Sequence, residues 1–194
     1  MISPSGTSVS PHEFRFDFGT TWLDFLATLR RPLAADRLER LSRPERLDEW
    51  LARVGMAPLT SSSDADLEAA RELREGIRAL CLDAIADAPT DPRALGLLNR
   101  WLRVGAGSLR AEPRSGGTGI GLEAPAHASQ ALARLARQAA TDLGGRAAVH
   151  LRACEAADCG AVFLDLTGRR RWCSTTLCGN RERVRAHRLR RRES

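Results

Sequence analysis

Residues 152–181 read RACEAADCGAVFLDLTGRRRWCSTTLCGNR, and this stretch decides how the chain is organised. Cys154, Cys159, Cys173 and Cys178 follow the spacing C-x4-C-x13-C-x4-C, while the fifth cysteine, Cys81, stands alone. Structural zinc is tetrahedral and takes four thiolates readily, usually as two pairs separated by a hairpin or loop. The first pair spans a tight loop followed by Gly160, whose freedom can relax backbone strain. A strand-like run, residues 161–166, and a Thr167–Gly168 turn come next. Ser174 can then cap a helix that begins at the second pair. In a reducing cytoplasm such clustering favours metal over disulfides. Four reduced core cysteines would need an apolar setting that this arginine-rich stretch does not provide. The residues predict one structural Zn2+ per chain on Cys154, Cys159, Cys173 and Cys178, with no position left open for catalysis. His150 and His187 read as solvated polar residues rather than ligands.

Charge points the same segment at a polyanion. All 30 basic residues are Arg and Tyr is absent, the bias of a GC-rich genome, so their distribution is more informative than their number. Residues 169–194 carry a net charge of +8, and residues 1–168 carry −2. That asymmetry suggests nucleic acid as the partner of the C-terminal segment. If residues 177–192 form one helix, Arg181, Arg185, Arg188 and Arg192 share a stripe, since successive residues turn by about 100°. On that construction Leu177 and Val184 fall on the same side, and Glu182, Ala186 and Leu189 on the opposite one. A phosphate backbone would relieve the repulsion within the stripe, and Arg forks onto phosphate or guanine edges in two-point contacts. Arg170 and Arg171, at the end of the hairpin, are flanking candidates. Asn180 reads as structural, capping the helix or turning towards a sulfur.

Upstream, the pattern is mainly helical. Residues 1–13 read as a disordered N-terminus without a secretory signal, and no apolar run is long enough for a membrane span. Phe14–Phe18 alternates as a short half-buried strand. Thr21 can cap a helix with Trp22, Phe25, Leu26 and Leu29 on one side, ending before Pro32. Ser42 and Glu45 form a capping-box pattern for a helix bearing Leu47, Trp50, Leu51 and Val54. The longest helical pattern runs from Asp64 to Ala86, with Cys81 on its apolar face, and Asp91-Pro92 opens another. Residues 108–124 read as a β-hairpin turning at Pro113–Gly117. A helix from Pro125 to Leu143 and a strand at Val149–Leu151 lead into Cys154. The fold class is therefore mainly α with a small β element (α+β) over residues 14–150, followed at 151–194 by a zinc finger of hairpin plus basic helix. Residues 14–150 are expected to pack around Trp22, Phe25, Trp50, Leu51, Leu73, Ile77, Leu80 and Leu135.

Two blocks carry a family resemblance: Arg152-x-Cys154-x4-Cys159-x3-Phe163-x-Asp165, and Arg170-Arg171-Trp172-Cys173-Ser174-x3-Cys178-Gly179-Asn180-Arg181. They resemble the CGNR zinc finger, whose name is the tetrapeptide Cys178–Arg181. The resemblance implies that the four cysteines bind zinc and that the arginine-rich helix after them contacts DNA. This finger is typically the C-terminal part of a bacterial protein whose N-terminal part is an ABATE domain, a family linked to stress-induced transcription regulation. Residues 14–55, with Leu23-Asp24-Phe25 and the Ser42–Val54 segment, resemble the start of such a domain. One departure is Ala27, where similar proteins often carry Asn.

Three functions follow from these readings. The first is a cytoplasmic DNA-binding transcription regulator, with the helical domain sensing a small-molecule effector or dimerising. A homodimer fits it because regulators commonly bind paired half-sites. The second is an RNA-binding or ribosome-associated zinc protein, for which Trp172 and Phe163 give little base stacking. The third, an enzyme, has no support: P-loop, GxGxxG, GxSxG and HExxH patterns are absent.

Overall fold

Ser63 accepts from the backbone N–H of Asp66, and Asp66 accepts from the N–H of Ser63, closing a capping box. Behind this cap the longest helix, α3 (Asp64–Ala86), runs as its apolar spacing requires. In the computed structural model, which describes residues 10–191, the other elements are arranged around it. They are α1 (Thr21–Leu26), β1 (Leu29–Arg30), β2 (Leu38–Glu39), α2 (Pro44–Arg53), α4 (Pro92–Arg103), β3 (Leu109–Arg114), β4 (Gly117–Leu122), α5 (Ala128–Leu143), β5 (Leu151–Ala153), β6 (Val162–Leu164) and α6 (Asn180–Arg190). The strands form three separate antiparallel pairs, β1–β2, β3–β4 and β5–β6. The architecture is mainly helical with small sheets, as the sequence predicts.

The helices α1, α4 and α5 pack on α3, and the residues expected at the centre of the core, from Trp22 to Leu135, are all buried. Trp50 of α2 lies against Phe25 of α1, with ring centroids 5.4 Å apart. Trp22 donates its indole N–H to Asp142 of α5 at 2.6 Å, tying the shortest helix to the bundle. Asp91 caps α4 by accepting from the N–H of Arg93. No helix among the described residues is long and apolar enough to cross a membrane.

Several local expectations are corrected. Phe14–Phe18 joins no sheet: Phe14 and Phe18 are buried, whereas Phe16 is exposed. Ordinary alternation would have put all three on one face. The segment instead bridges two surfaces, with Phe14 beneath Arg46 and the carbonyl of Phe18 accepting from the N–H of Leu164. The Ser42–Glu45 box does not form; Arg43 is the N-cap of α2, and Pro44 starts the helix. Leu29 leaves α1 and enters β1. Pro113 and Gly117 lie in the strands of the hairpin rather than its turn, which is Ser115–Gly116. The hairpin's Leu109, Ile120 and Leu122 are exposed on one face. Of the N-terminal residues, 1–9 lie outside the described residues. Ser10–Glu13 form a turn whose Pro11 and His12 carbonyls accept from Arg40 and Arg46.

The core does not stop at residue 150. Val162, Phe163 and the clustered cysteines belong to the same buried cluster as Trp22 and Leu73. Gly19 makes that approach close. A Cβ there would sit 2.7 Å from Cβ of Leu164, and its φ of +114° is one that L side chains rarely adopt.

Candidate functional site

The finger is built on the short β5–β6 ladder. Between the strands, the N–H of Cys154 donates to Ala161 at 2.8 Å and the N–H of Cys159 to Ala156 at 2.9 Å, folding the first cysteine pair into a knuckle. Gly160 closes it at φ +60°, and a Cβ there would lie 2.7 Å from Cγ of Leu33 and 2.9 Å from Cγ of Pro32. That φ favours glycine, and any side chain would also have to displace Leu33 and Pro32. Past β6, Asp165 is buried and accepts from the Thr167 hydroxyl and from the N–H groups of Thr167 and Arg170. These bonds, led by that of the Thr167 hydroxyl, hold its carboxyl down at about 2. The chain is thereby turned back so that Cys173 meets the first pair.

The second pair is set by a wide helical turn. Ser174 accepts from the N–H of Leu177 and caps a π-type turn, Thr175–Gly179, which carries Cys178 inward before α6 begins. The buried Gly179 lets the indole of Trp172 approach, because a Cβ there would sit 3.0 Å from its ring. Cys159–Cys173 sulfurs are 3.7 Å apart, and Cys173–Cys178 and Cys159–Cys178 are each 3.5 Å apart. All four ligand atoms lie within 4.8 Å of one another, and all four residues are buried. Tetrahedral zinc with bonds of about 2.3 Å requires sulfurs about 3.8 Å apart, so the cluster fits that ion. Four thiols this close cannot all ionise by themselves, and a bound divalent cation removes that obstacle. The site is for one structural zinc ion. No other cluster of metal-ligating side chains is present among the described residues.

Arginines from both parts of the chain surround the sulfurs. Arg181 donates to Cys178 Sγ at 3.5 Å and to Asp158 at 2.8 Å. Arg15, which the alternating pattern had turned away from the core, donates to Cys173 Sγ at 3.9 Å and pairs with Asp17. Arg31 also pairs with Asp158. Despite its desolvation, Asp158 is held below the usual carboxylate range by Arg31 and Arg181. Sequence spacing alone could not reveal Arg15 and Arg31 here, since they reach the centre from more than a hundred residues away.

The predicted nucleic-acid contacts are divided by the fold. Arg170 is exposed but committed to the finger itself, donating to the Cys173 carbonyl at 2.9 Å and lying over the Phe163 ring. Arg181 is engaged as described. Arg171 pairs with Glu155 at the surface and is 65% exposed. Arg185 is 43% exposed and pairs with Glu182 at 2.7 Å and with Asp158 at 3.8 Å. Arg188 is exposed, with no partner among the described residues. Arg192 lies outside them. Val184, Arg185, Arg188 and Leu189 share one open groove with Arg181. Leu189 is therefore on the arginine side of α6, not opposite it. Asn180 is exposed and makes no side-chain hydrogen bond among the described residues, so it neither caps the helix nor meets a sulfur. His150 and His187 take no part in the cysteine cluster.

Knuckle, tetrathiolate cluster and emergent basic helix define a zinc-finger protein with a helical N-terminal domain. Residues 150–191 match the CGNR zinc finger. Residues 19–146 match the ABATE family, described as "putative stress-induced transcription regulator", and the chain belongs to that family. No curated protein matches the sequence.

Proposed function

We propose that this is a bacterial, cytoplasmic, DNA-binding transcription regulator, in which the finger contacts DNA and the helical domain senses a ligand or dimerises. The carrying observation is the cationic end of α6. Arg188 and Arg191 are exposed and have no side-chain partner among the described residues, and Arg169 is equally open on the adjoining turn. Arg171 holds Glu155, and Arg185 holds Glu182 and more distantly Asp158, in pairs that solvent screens and that can exchange for phosphate. The zinc centre acts through geometry: Cys178 is the ligand from which α6 departs, so the metal fixes the helix that carries the charge. Family membership supports the regulatory role. No catalysis is proposed, because four thiolates leave zinc no open position and Cys81 is buried, its thiol pushed up to about 12 by desolvation.

The test is selection of genomic DNA fragments by the zinc-loaded chain in the presence of structured RNA as competitor. Recovery of a defined set of duplex fragments is the expected result. Preferential retention of RNA, or no enrichment of any fragment, overturns the reading.

A further inference from the structure

A small cleft of about 50 Å³ lies where the N-terminal domain meets the zinc centre. Arg15, Arg30, Arg31, Arg40 and Arg181 line it; no Asp or Glu does, and the zinc-ligand residues Cys159, Cys173 and Cys178 form its floor. Their partners differ in kind. Arg15 has Asp17, Arg31 has Asp36 and Asp158, and Arg181 has Asp158. Arg15 and Arg181 also reach sulfur, where they offset the net negative charge of a zinc tetrathiolate.

Arg30 and Arg40 are left over. Arg40 is only 5% exposed, and its guanidinium meets carbonyls alone: Nε donates to Pro11 and Nη1 to Ala27. Arg30 has no hydrogen bond or ion pair from its side chain among the described residues. The neighbouring carboxylate, Glu39, is taken by Arg74 in a two-point pair at 2.6 and 2.8 Å. Burial, and then the like charges of Arg30, Arg15 and Arg46, pull the Arg40 guanidinium down to about 10. A buried cation without a counter-charge is costly.

Two of the lining arginines also keep an unused donor. Nε of Arg31 and Nε of Arg181 are buried and have no hydrogen-bond partner. Planar guanidinium groups converging on one small space suit an acceptor with several oxygens, since each fork can give two parallel bonds. The volume exceeds the roughly 10–15 Å³ that a single water requires on the same measure.

We propose that this cleft binds a small oxyanion, a phosphate or carboxylate group, either free or as the head of a small metabolite, with Arg40 and Arg30 as its principal partners. The anion would bridge β1 and the end of β2 to Arg181 at the first turn of α6, and so join the N-terminal domain to the finger. The site stands on its own geometry and does not require DNA binding. Where that activity is present, the anion is the effector.

The test uses the zinc-loaded full chain without DNA. Inorganic phosphate, methyl phosphate and acetate are titrated calorimetrically, each against chloride at equal ionic strength. The expected result is saturable binding of at least one of them at one site per chain, weakened at least ten-fold in both Arg40→Gln and Arg30→Gln and unchanged in Arg188→Gln. Preference for methyl phosphate over phosphate would identify a metabolite head, and the reverse a free ion. Arg30 makes no protein bond to lose, so its variant reports binding even if Arg40→Gln folds poorly. Absence of saturable binding by all three ions overturns the proposal. So does binding that is unchanged in Arg30→Gln, or that is weakened equally by Arg188→Gln.

Discussion

Arg78 of α3 donates to the carbonyl of Gly160 at 3.0 Å and to that of Leu26 at 2.6 Å, so one buried side chain holds both the zinc knuckle and the end of α1. Glu75 supplies a carboxylate at 3.2 Å. Replacing Arg78 by Leu removes the donor and leaves two carbonyls short of partners, at a cost of about 2–4 kcal/mol. Melting of the zinc-loaded variant should show that loss together with faster release of zinc to a chelator. Unchanged zinc release would mean that the knuckle does not depend on α3.

The same link predicts how the protein responds to loss of metal. Structural zinc contributes apparent binding energies of about 10–16 kcal/mol, comparable to the entire stability of a domain. Here β5 and β6 pack on α3, and Phe163 is fully buried in the common core. Chelation should therefore raise hydrogen exchange in the part of α3 around Arg78 and Cys81 as well as in the finger. If exchange rises only beyond residue 150, the continuous core is not an energetic unit.

Asp24 gives a pH signature. It is buried in α1, accepts from the N–H of Phe18 at 3.0 Å, and is pushed up to about 6, chiefly by desolvation. The folded chain thus binds more protons than the unfolded chain between about 4 and 6. Stability from this group is fully present below about 4 and is lost as pH rises through about 6. Asp24→Asn keeps an acceptor without the charge. It should raise stability at pH 7 by roughly 1–3 kcal/mol and flatten the decline across that window. Urea melts at pH 4.5 and 7 measure the difference. An equal effect of the substitution at both values would show that Asp24 does not titrate there.

Trp50 is fully buried against Phe25, so Trp50→Ala should cost about 3–5 kcal/mol. Its indole N–H has no partner, and Trp50→Phe removes that orphan donor while retaining an aromatic ring. The Phe variant should melt much closer to the parent than the Ala variant. If the two melt alike, the indole's size rather than its aromatic contact decides the packing.

What could be read in the sequence followed from strong, local signals. The 23 residues of α3 repeat apolar side chains at helical spacing from Leu67 to Cys81, and the cysteine spacing has few alternative chemistries. Arginine was harder to read. Arg74, Arg78 and Arg134 lie inside the fold, where each long side chain answers carbonyls or carboxylates supplied by distant segments. Periodicity treats such a residue as polar and places it outside. The Ser42 pattern failed for a related reason: Pro44 already fixes the first turn of α2, and the Ser42 side chain is exposed. For α6, treating residues 177–192 as one uniform helix missed the π-type turn that precedes Asn180.

The division of arginines around the finger makes the functional reading measurable. Arg188 lies on the exposed groove of α6 and Arg185 beside it reaches Asp158 only at 3.8 Å, whereas Arg181 is bound closely to Asp158 and Cys178. Each phosphate neutralised on duplex DNA adds roughly 0.9 to the slope of log affinity against log salt. Contacts from Arg169, Arg171, Arg185, Arg188 and Arg191 would give a slope of about −4 to −5. Replacing both Arg185 and Arg188 by Ala should reduce it by about two units, with zinc content and melting little changed because Asp158 keeps its closer partners Arg31 and Arg181. Arg181→Ala should behave differently. It removes one of the cations on Asp158 and the donor to a ligand sulfur, so zinc retention and melting fall first and DNA affinity follows them. A double variant whose affinity and salt slope equal those of the parent would show that the arginines of α6 are a solvated face and not a DNA surface.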